Sequence, residues 1–477
     1  MAESHVPEEI VGLTVKTVNG NNEHTEKKSF WDGVTMEPLW FGAIMSLTMG
    51  FMAFQNLFLR QACTVDLGYS EEECFHSNGT NRTIIEMQSQ QIVSSLSVVS
   101  NFVGGVITCI VLLFLGPWSD SSGRRKPVII IPIIGMMATS VGLLVLQAFP
   151  KVSTAWAIYM EVLPLSIGGS NHLLMMATFS YLGDICYKTG RCTTTVMGSN
   201  SAAISASTIL GSLLAPVLLR NLGFVGVFGI SAILELCSIL FALWKVKDVN
   251  VARKIPPIWD LTLPLQALKC MFKKREGKRR KNVILMVLVP STTTITFATE
   301  ITLLYLYLRF KFQWTEVEYG MFSAIRGLTH FVGTVLIIKV LKHKLKLKDE
   351  TIGLIGGISQ FLGSSTLILS SQSWMVFMSP ILGILSRAVL IAEKPVLNKQ
   401  IVASEQGKLN SITAILDKVL AFGVIPLTHY LYSVTISWMP EFFLLLSLLA
   451  AFIQIVSYSL ITDESGTKRH KDAVDSP

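Results

Sequence analysis

Charge is scarce in this sequence. Of its 477 residues 15% are Asp, Glu, Lys or Arg and 51% are hydrophobic. A soluble domain of this length could not cover its surface with so few charges, so a soluble fold is excluded. Enzymatic constellations are missing as well: there is no nucleophile–base spacing, no metal-ligand cluster and no phosphate-cradling glycine loop. That argues against an enzyme and implies neither a cofactor nor a metal. No cleavable leader opens the chain either. The first 37 residues are polar, and the apolar run that follows is long enough to span a bilayer and stay there. The sequence does have long apolar runs of roughly 20 residues, the length that crosses a bilayer as a helix, and a mean hydropathy of +0.52.

These runs predict an all-α membrane protein with twelve spans. The first six cover 38–59, 91–115, 128–149, 153–182, 194–219 and 223–244; the second six cover 283–308, 319–340, 351–370, 374–396, 409–430 and 439–461. The expected organisation is a polar tail (1–37), a six-helix half (38–244), a basic linker (245–282), a second six-helix half (283–461) and a short tail (462–477). The net charge of +8 could point to nucleic acid, but its distribution points to a membrane. Lys and Arg gather in alternate loops, above all in the linker tract Lys273–Lys281, while the opposite loops carry little beyond Arg60, Arg82, Lys151, Arg220, Arg309 and Lys311. The asymmetry places both termini and the linker on the cytosolic side, against anionic lipid, with no nucleic-acid partner.

The loop 61–90 falls on the other side. It holds Cys63 and Cys74, which can pair in an oxidising space, and the sequons Asn78-Gly79-Thr80 and Asn81-Arg82-Thr83. Between spans 2 and 3 stands Gly116 to Pro127, GPWSDSSGRRKP. Asp120 can meet the partial positive charge of a helix N-terminus, Arg124 and Arg125 can pair with acids on a neighbouring helix end, and Gly116 and Gly123 permit close approach and a tight turn. Such a loop can latch one conformation and release in another. Its pattern and place resemble the signature loop of the major facilitator superfamily. The equivalent loop of the second half, LKHKLKLKDE, keeps only charge.

Ionisable groups inside spans are functional candidates by default. Span 1 holds Gln55 and Asn56; span 4 holds Glu161, Asn171 and His172; span 6 holds Glu235. In the second half these are Glu300, Arg326, His330, Arg387, Glu393, Lys394, Asp417 and Lys418. Counted inward from Trp374 along a continuous helix, Arg387 lies about 20 Å deep and Lys394 about 30 Å, on one face. Arg387 then needs a counter-charge, either Glu300 or Glu161 as a fixed partner or a bound anion. Lys394 can instead reach toward the cytosolic interface. The candidate binding residues are Arg387, Lys394, Arg326 and Glu300.

Three motifs in order narrow the resemblance: WSDSSGRR after span 2, FSYLGD ending span 4 at Asp184, and EQGKLNS (Glu405 to Ser411) opening span 11. With the sequon-bearing first loop, the chain resembles solute carrier family 46, its arthropod paralogues most of all. That resemblance implies a carrier of organic anions, folates, muropeptides and cyclic dinucleotides being the family's substrates. Departures weigh against folate. The family's folate carrier has an acid in span 4 that falls on Ser170, a proton-coupling glutamate in span 5 that falls on Ser201, and a span-7 histidine that falls near Thr296. Its span-10 arginine falls on Lys394, and its disulfide to loop 7–8 meets Gln313-Trp314.

The sequence thus reads as a secondary transporter moving a small organic anion other than folate by alternating access, with proton coupling open and the plasma membrane favoured over the lysosomal membrane. A folate carrier and a non-transporting receptor on a carrier fold are the alternative readings. Glycosidase digestion should increase the electrophoretic mobility of the protein if Asn78 or Asn81 is glycosylated. An unshifted band, with both cysteines open to alkylation before reduction, would overturn the placement of the first loop.

Overall fold

The structure, a computed structural model, describes residues 35–76, 80–149, 151–189, 193–248, 279–400 and 403–461, and some side chains within these stretches lie outside the description. Its helices belong to one compact unit, Met36–Pro477. Before the linker these are α1 (Glu37–Gln61), the short α2 (Glu71–His76), α3 (Thr80–Ser122), α4 (Lys126–Leu146), α5 (Thr154–Ile167), α6 (Ser170–Thr189) and α7 (Thr193–Lys245). After it come α8 (Arg279–Phe312), α9 (Glu316–Leu336), α10 (Asp349–Leu369), α11 (Ser373–Leu382), α12 (Ala388–Gln400), α13 (Ala403–Thr435) and α14 (Leu444–Ser459). Among the described residues, seven helices are long and apolar enough to cross a membrane.

The breaks follow local chemistry. Gly223, in α7, has φ 64° and ψ −168°, so the chain leaves the helix where spans 5 and 6 were expected to meet. Span 4, expected to be continuous, is cut between α5 and α6, where Gly169 and Ser170 take φ of 80° and 59°. Span 10 is cut too, because α11 ends at Leu382 and α12 begins only at Ala388. Between them the chain turns on i→i−3 bonds, from the Ile384 amide to the Ile381 carbonyl at 3.3 Å, Ser386 to Gly383 at 3.0 Å and Ala388 to Leu385 at 2.9 Å, in place of the α-helical ladder. The polar stretch expected as a loop from Gly116 is mostly helical instead. The helix α3 runs on to Ser122, and Gly123 makes the turn at φ 70°. At the opposite end, Ser70 and Glu73 form a capping box over α2; both Ser70 hydrogen bonds hold the Glu73 carboxyl below its ordinary range.

Helices on the two sides of the linker meet chiefly through α3 with α13 and α7 with α9, and α3 also touches α8. Their buried cores are arranged unequally. Near the first loop a single apolar cluster joins both sets, from Phe58, Leu146 and Phe228 to Tyr305, Trp314, Tyr432 and Phe443. Near the linker, among the described residues, the cores stay separate: Trp40, Ile129, Tyr181 and Ala242 in one, Val283, Ile337, Val389 and Tyr458 in the other.

One glycine holds the broken span in place. A Cβ on Gly333 of α9 would sit 1.8 Å from the Ile384 carbonyl oxygen, in the turn between α11 and α12. Backbone cannot yield as a side-chain tip can, so Gly333→Ala should destabilise the protein by about 1–3 kcal/mol, as overpacking does. Thermal melting of the purified variant checks this; an unchanged midpoint would show that the turn moves freely.

Candidate functional site

The broken span delivers Arg387 to a cavity of about 70 Å³ among α8, α9, α10 and α12. That is room for a carboxylate or a sulfate, not for a sugar or steroid framework. Glu300 from α8, Arg326 and His330 from α9, and Gln360 from α10 line it with Arg387. Arg326 Nη2 donates to Glu300 Oε2 at 2.5 Å, and Gln360 Nε2 donates to Glu300 Oε1 at 3.4 Å. Arg387 Nη2 lies 3.3 Å from His330 Nδ1. A guanidinium only donates, so this contact makes Nδ1 the acceptor and puts the ring proton on Nε2. Among the described residues no carboxylate lies within ion-pair distance of Arg387.

The pairing differs from the expected one: Glu300 is held by Arg326, and the polar contact of Arg387 is His330. Sequence spacing could not foresee this, because the count that gave the depth of Arg387 ran from Trp374 through the turn as if the helix were continuous. The turn ends at Arg387, whose carbonyl accepts the Ile391 amide at 3.2 Å as α12 begins. The Lys394 side chain lies outside the described residues. Gln454 of α14 also lines the cavity; its Nε2 donates to Thr293 Oγ1 at 3.2 Å, while its buried Oε1 has no hydrogen-bond partner among the described residues. Glu235 lies elsewhere, among the helices before the linker, and accepts from Ser46 at 2.5 Å and Ser140 at 3.1 Å.

Around the signature loop the structure places Arg125 Nε 2.9 Å from Asp184 Oδ2, the expected pairing with an adjacent helix end. The N-terminus of α4 is met by Asp248, whose Oδ1 accepts from the amides of Arg125 and Lys126 at 2.8 and 2.9 Å. That role was expected of Asp120, whose side chain lies outside the described residues. Arg124 is exposed, and a Cβ on Gly116 would lie 3.1 Å from Met176 Cε. Asn78 and the Asn81 side chain lie outside the described residues. Cys63 and Cys74 are bonded, with Cα atoms 6.1 Å apart.

A second polar cluster, unread in the sequence, ties the two sets of helices together near the first loop. Arg309 of α8 donates to Glu86 of α3 at 2.9 Å and to Asn56 of α1 at 2.7 Å. Tyr305 shares the Asn56 oxygen at 2.7 Å. Gln90 donates to the Leu306 carbonyl at 3.1 Å and accepts from Tyr432 of α13 at 2.6 Å, and Gln91 donates to the Ser433 carbonyl at 3.2 Å. Glu86 with Gln90 and Tyr305 with Arg309 are i, i+4 pairs, each on one helix face; that spacing was the available signal. Above this clasp lies a vestibule of about 940 Å³, walled by Arg60, Glu71, Arg220 and Trp314 among others.

Breaking a charge-assisted hydrogen bond across the clasp removes about 1.5–3 kcal/mol from the closed arrangement. In Glu86→Gln, an engineered cysteine at Ser94, buried two turns below Glu86 on α3, should be labelled roughly tenfold faster by an impermeant maleimide added from the first-loop side. The charge swap Glu86→Arg with Arg309→Glu should restore protection. Equal labelling in all three proteins would rule the clasp out as a barrier.

Comparison with known proteins agrees with this architecture. Residues 39–416 match the Major Facilitator Superfamily. The chain is 23% identical over 389 residues to the lysosomal proton-coupled steroid conjugate and bile acid symporter SLC46A3 of Gallus gallus, covering 79% of this chain and 82% of that one. It is 22% identical to the probable peptidoglycan muropeptide transporter SLC46 of Drosophila melanogaster (91% and 85% covered) and 23% identical to the proton-coupled folate transporter of Bos taurus (93% and 95%). Among solved structures, the POT family transporter PepTSo superposes with a TM-score of 0.58 at 15% identity (90% and 99% covered), and the human organic anion transporter MFSD10 with 0.56 at 14% (88% and 98%). With most of its length matched and the fold shared, this chain belongs to the Major Facilitator Superfamily and is an integral, multi-pass membrane transporter similar to members of solute carrier family 46.

Proposed function

We propose that the protein moves a small organic anion by alternating access, binding its anionic group at Arg387. The observation that carries this is the pairing in the cavity. One guanidinium, Arg326, is neutralised by Glu300, and the other, Arg387, meets a neutral ring nitrogen and, among the described residues, no carboxylate. A positive charge held inside the bundle without a carboxylate partner is stabilised when an anion arrives. Relatives with comparable spans carry steroid conjugates, bile acids, muropeptides or folate by their names, and the small-residue substitutions at Ser170, Ser201 and Thr296 weigh against folate here.

The unequal cores support alternating access: the sets are fused near the first loop and separate near the linker. With the first loop outside and both termini cytosolic, this is the inward-facing arrangement, and the loop carrying Asp120, Arg124 and Arg125 belongs to the latch that closes the opposite side. The plasma membrane remains the favoured location on this reading. Proton use stays with the relatives whose names include it.

Counter-flow in proteoliposomes, with bile acids, steroid sulfates, muropeptides and folates at two pH values, tests the reading. Arg387→Gln should raise the apparent KM for the transported anion by roughly ten- to a hundredfold, the loss of one charge-assisted contact, at unchanged folded amount. Breaking a structural ion pair would instead cost about 3–5 kcal/mol and lower the amount of folded protein. Exchange of none of these anions would favour a receptor over a carrier.

A further inference from the structure

The cavity contains one more distinction than an anion site requires: its two arginines have partners of different charge. Glu300 accepts from Arg326 and from Gln360, so its carboxylate is held in the cavity wall by two donors. His330, one helical turn beyond Arg326 on α9, accepts from Arg387 through Nδ1. An imidazole that accepts from a guanidinium orients it without cancelling its charge. A carboxylate at the same place would do both. The charged groups facing this ring are Arg326 on its own helix, Arg387 from the turn before α12, and Glu300 on α8. The part of α7 that packs on α9, touching Gly320 and Gly327 through Ser212, Pro216 and Ile209, has no titratable side chain between Thr193 and Leu219.

Counted over these groups, the site carries one uncompensated positive charge. An incoming group with one negative charge brings it to neutrality. A group with two leaves an excess negative charge among helices, beside a carboxylate that is already fixed there, and both desolvation and repulsion oppose it.

Resting on the reading that Arg387 binds the anion, we propose that the site selects organic monoanions, carboxylates or sulfate monoesters, with His330 positioning Arg387 and Glu300 rejecting a second negative charge. The neutrality of position 330 keeps Arg387 available, and the charge of position 300 sets the limit.

The test uses the full-length purified protein at pH 8 and two ligands on one scaffold that differ in the charge of a single group: oestrone 3-sulfate, with one negative charge, and oestrone 3-phosphate, with two. Wild type should bind the sulfate at least about tenfold more tightly than the phosphate. His330→Gln, which keeps a neutral acceptor, should stay within about threefold of wild type, whereas His330→Glu should weaken the sulfate at least about tenfold while the ligand-free melting temperature holds. Glu300→Gln should move the preference toward the dianion by about tenfold; should that variant not fold, the His330 pair decides. If His330→Glu binds as wild type does while Arg387→Gln does not, the charge assignment is overturned and the anion site stands. If Arg387→Gln binds as wild type does, or the wild type binds neither ligand, the anion site falls and this inference with it. Equal affinity of wild type for the two ligands overturns the selectivity alone.

Discussion

A guanidinium keeps its charge wherever a fold puts it, and inside a helical bundle it costs several kcal/mol unless its donors are met. This protein meets that demand in three ways with three arginines. Arg309 is satisfied across the bundle, by Glu86 and Asn56 on helices that precede the linker. Arg326 is satisfied within the second set of helices, by Glu300. Arg387 has a neutral imidazole. The first arrangement joins two bodies, the second holds a wall and the third leaves a charge for something else. Function can be read from which partner each arginine has.

Much of the fold was legible because bilayers constrain composition strongly. Apolar length marked the spans, and the short gap at residues 220–222 separated two of them beside the turn that Gly223 makes. The loop pattern led to the expectation that Arg124 and Arg125 pair with acids on a neighbouring helix end; that Arg125 does so with Asp184 comes from the packing. The cap on α4 was harder. Asp248 lies far from Arg125 in sequence and holds the amides that the nearer Asp120 was expected to hold, because a helix N-terminus accepts any acid that tertiary packing brings to it. Arg309 was read as a charge outside the membrane from its place at a span end, and only packing shows that it turns inward to Asn56.

The candidate site was legible in its members and illegible in its pairing. Glu300, Arg326, His330 and Arg387 all stood out as ionisable residues in apolar runs. Which acid met which base depended on a helix break at Gly383 that hydropathy does not register, since the turn is as apolar as the helices around it. Sequence reasoning offered Glu300 or Glu161 as the fixed partner of Arg387, and its polar contact is His330. The glycine that accommodates the turn, Gly333, sits on a different helix and carries no chemistry of its own.

The vestibule above the clasp has a kinetic consequence. Its walls set Arg60, Arg220 and Arg309 against Glu71, Glu72, Glu86 and Glu316, several of them already paired. Three arginines against four glutamates leave the lining one negative charge in excess, so the mouth of the protein projects only a weak negative field into the solution beyond it. On the proposed reading, an anion approaching from that side is not drawn in; it arrives by diffusion, and the positive charge it meets is below the clasp. Ionic strength in that compartment then has little hold on how fast the site fills, because screening weakens only a field that reaches into the bath.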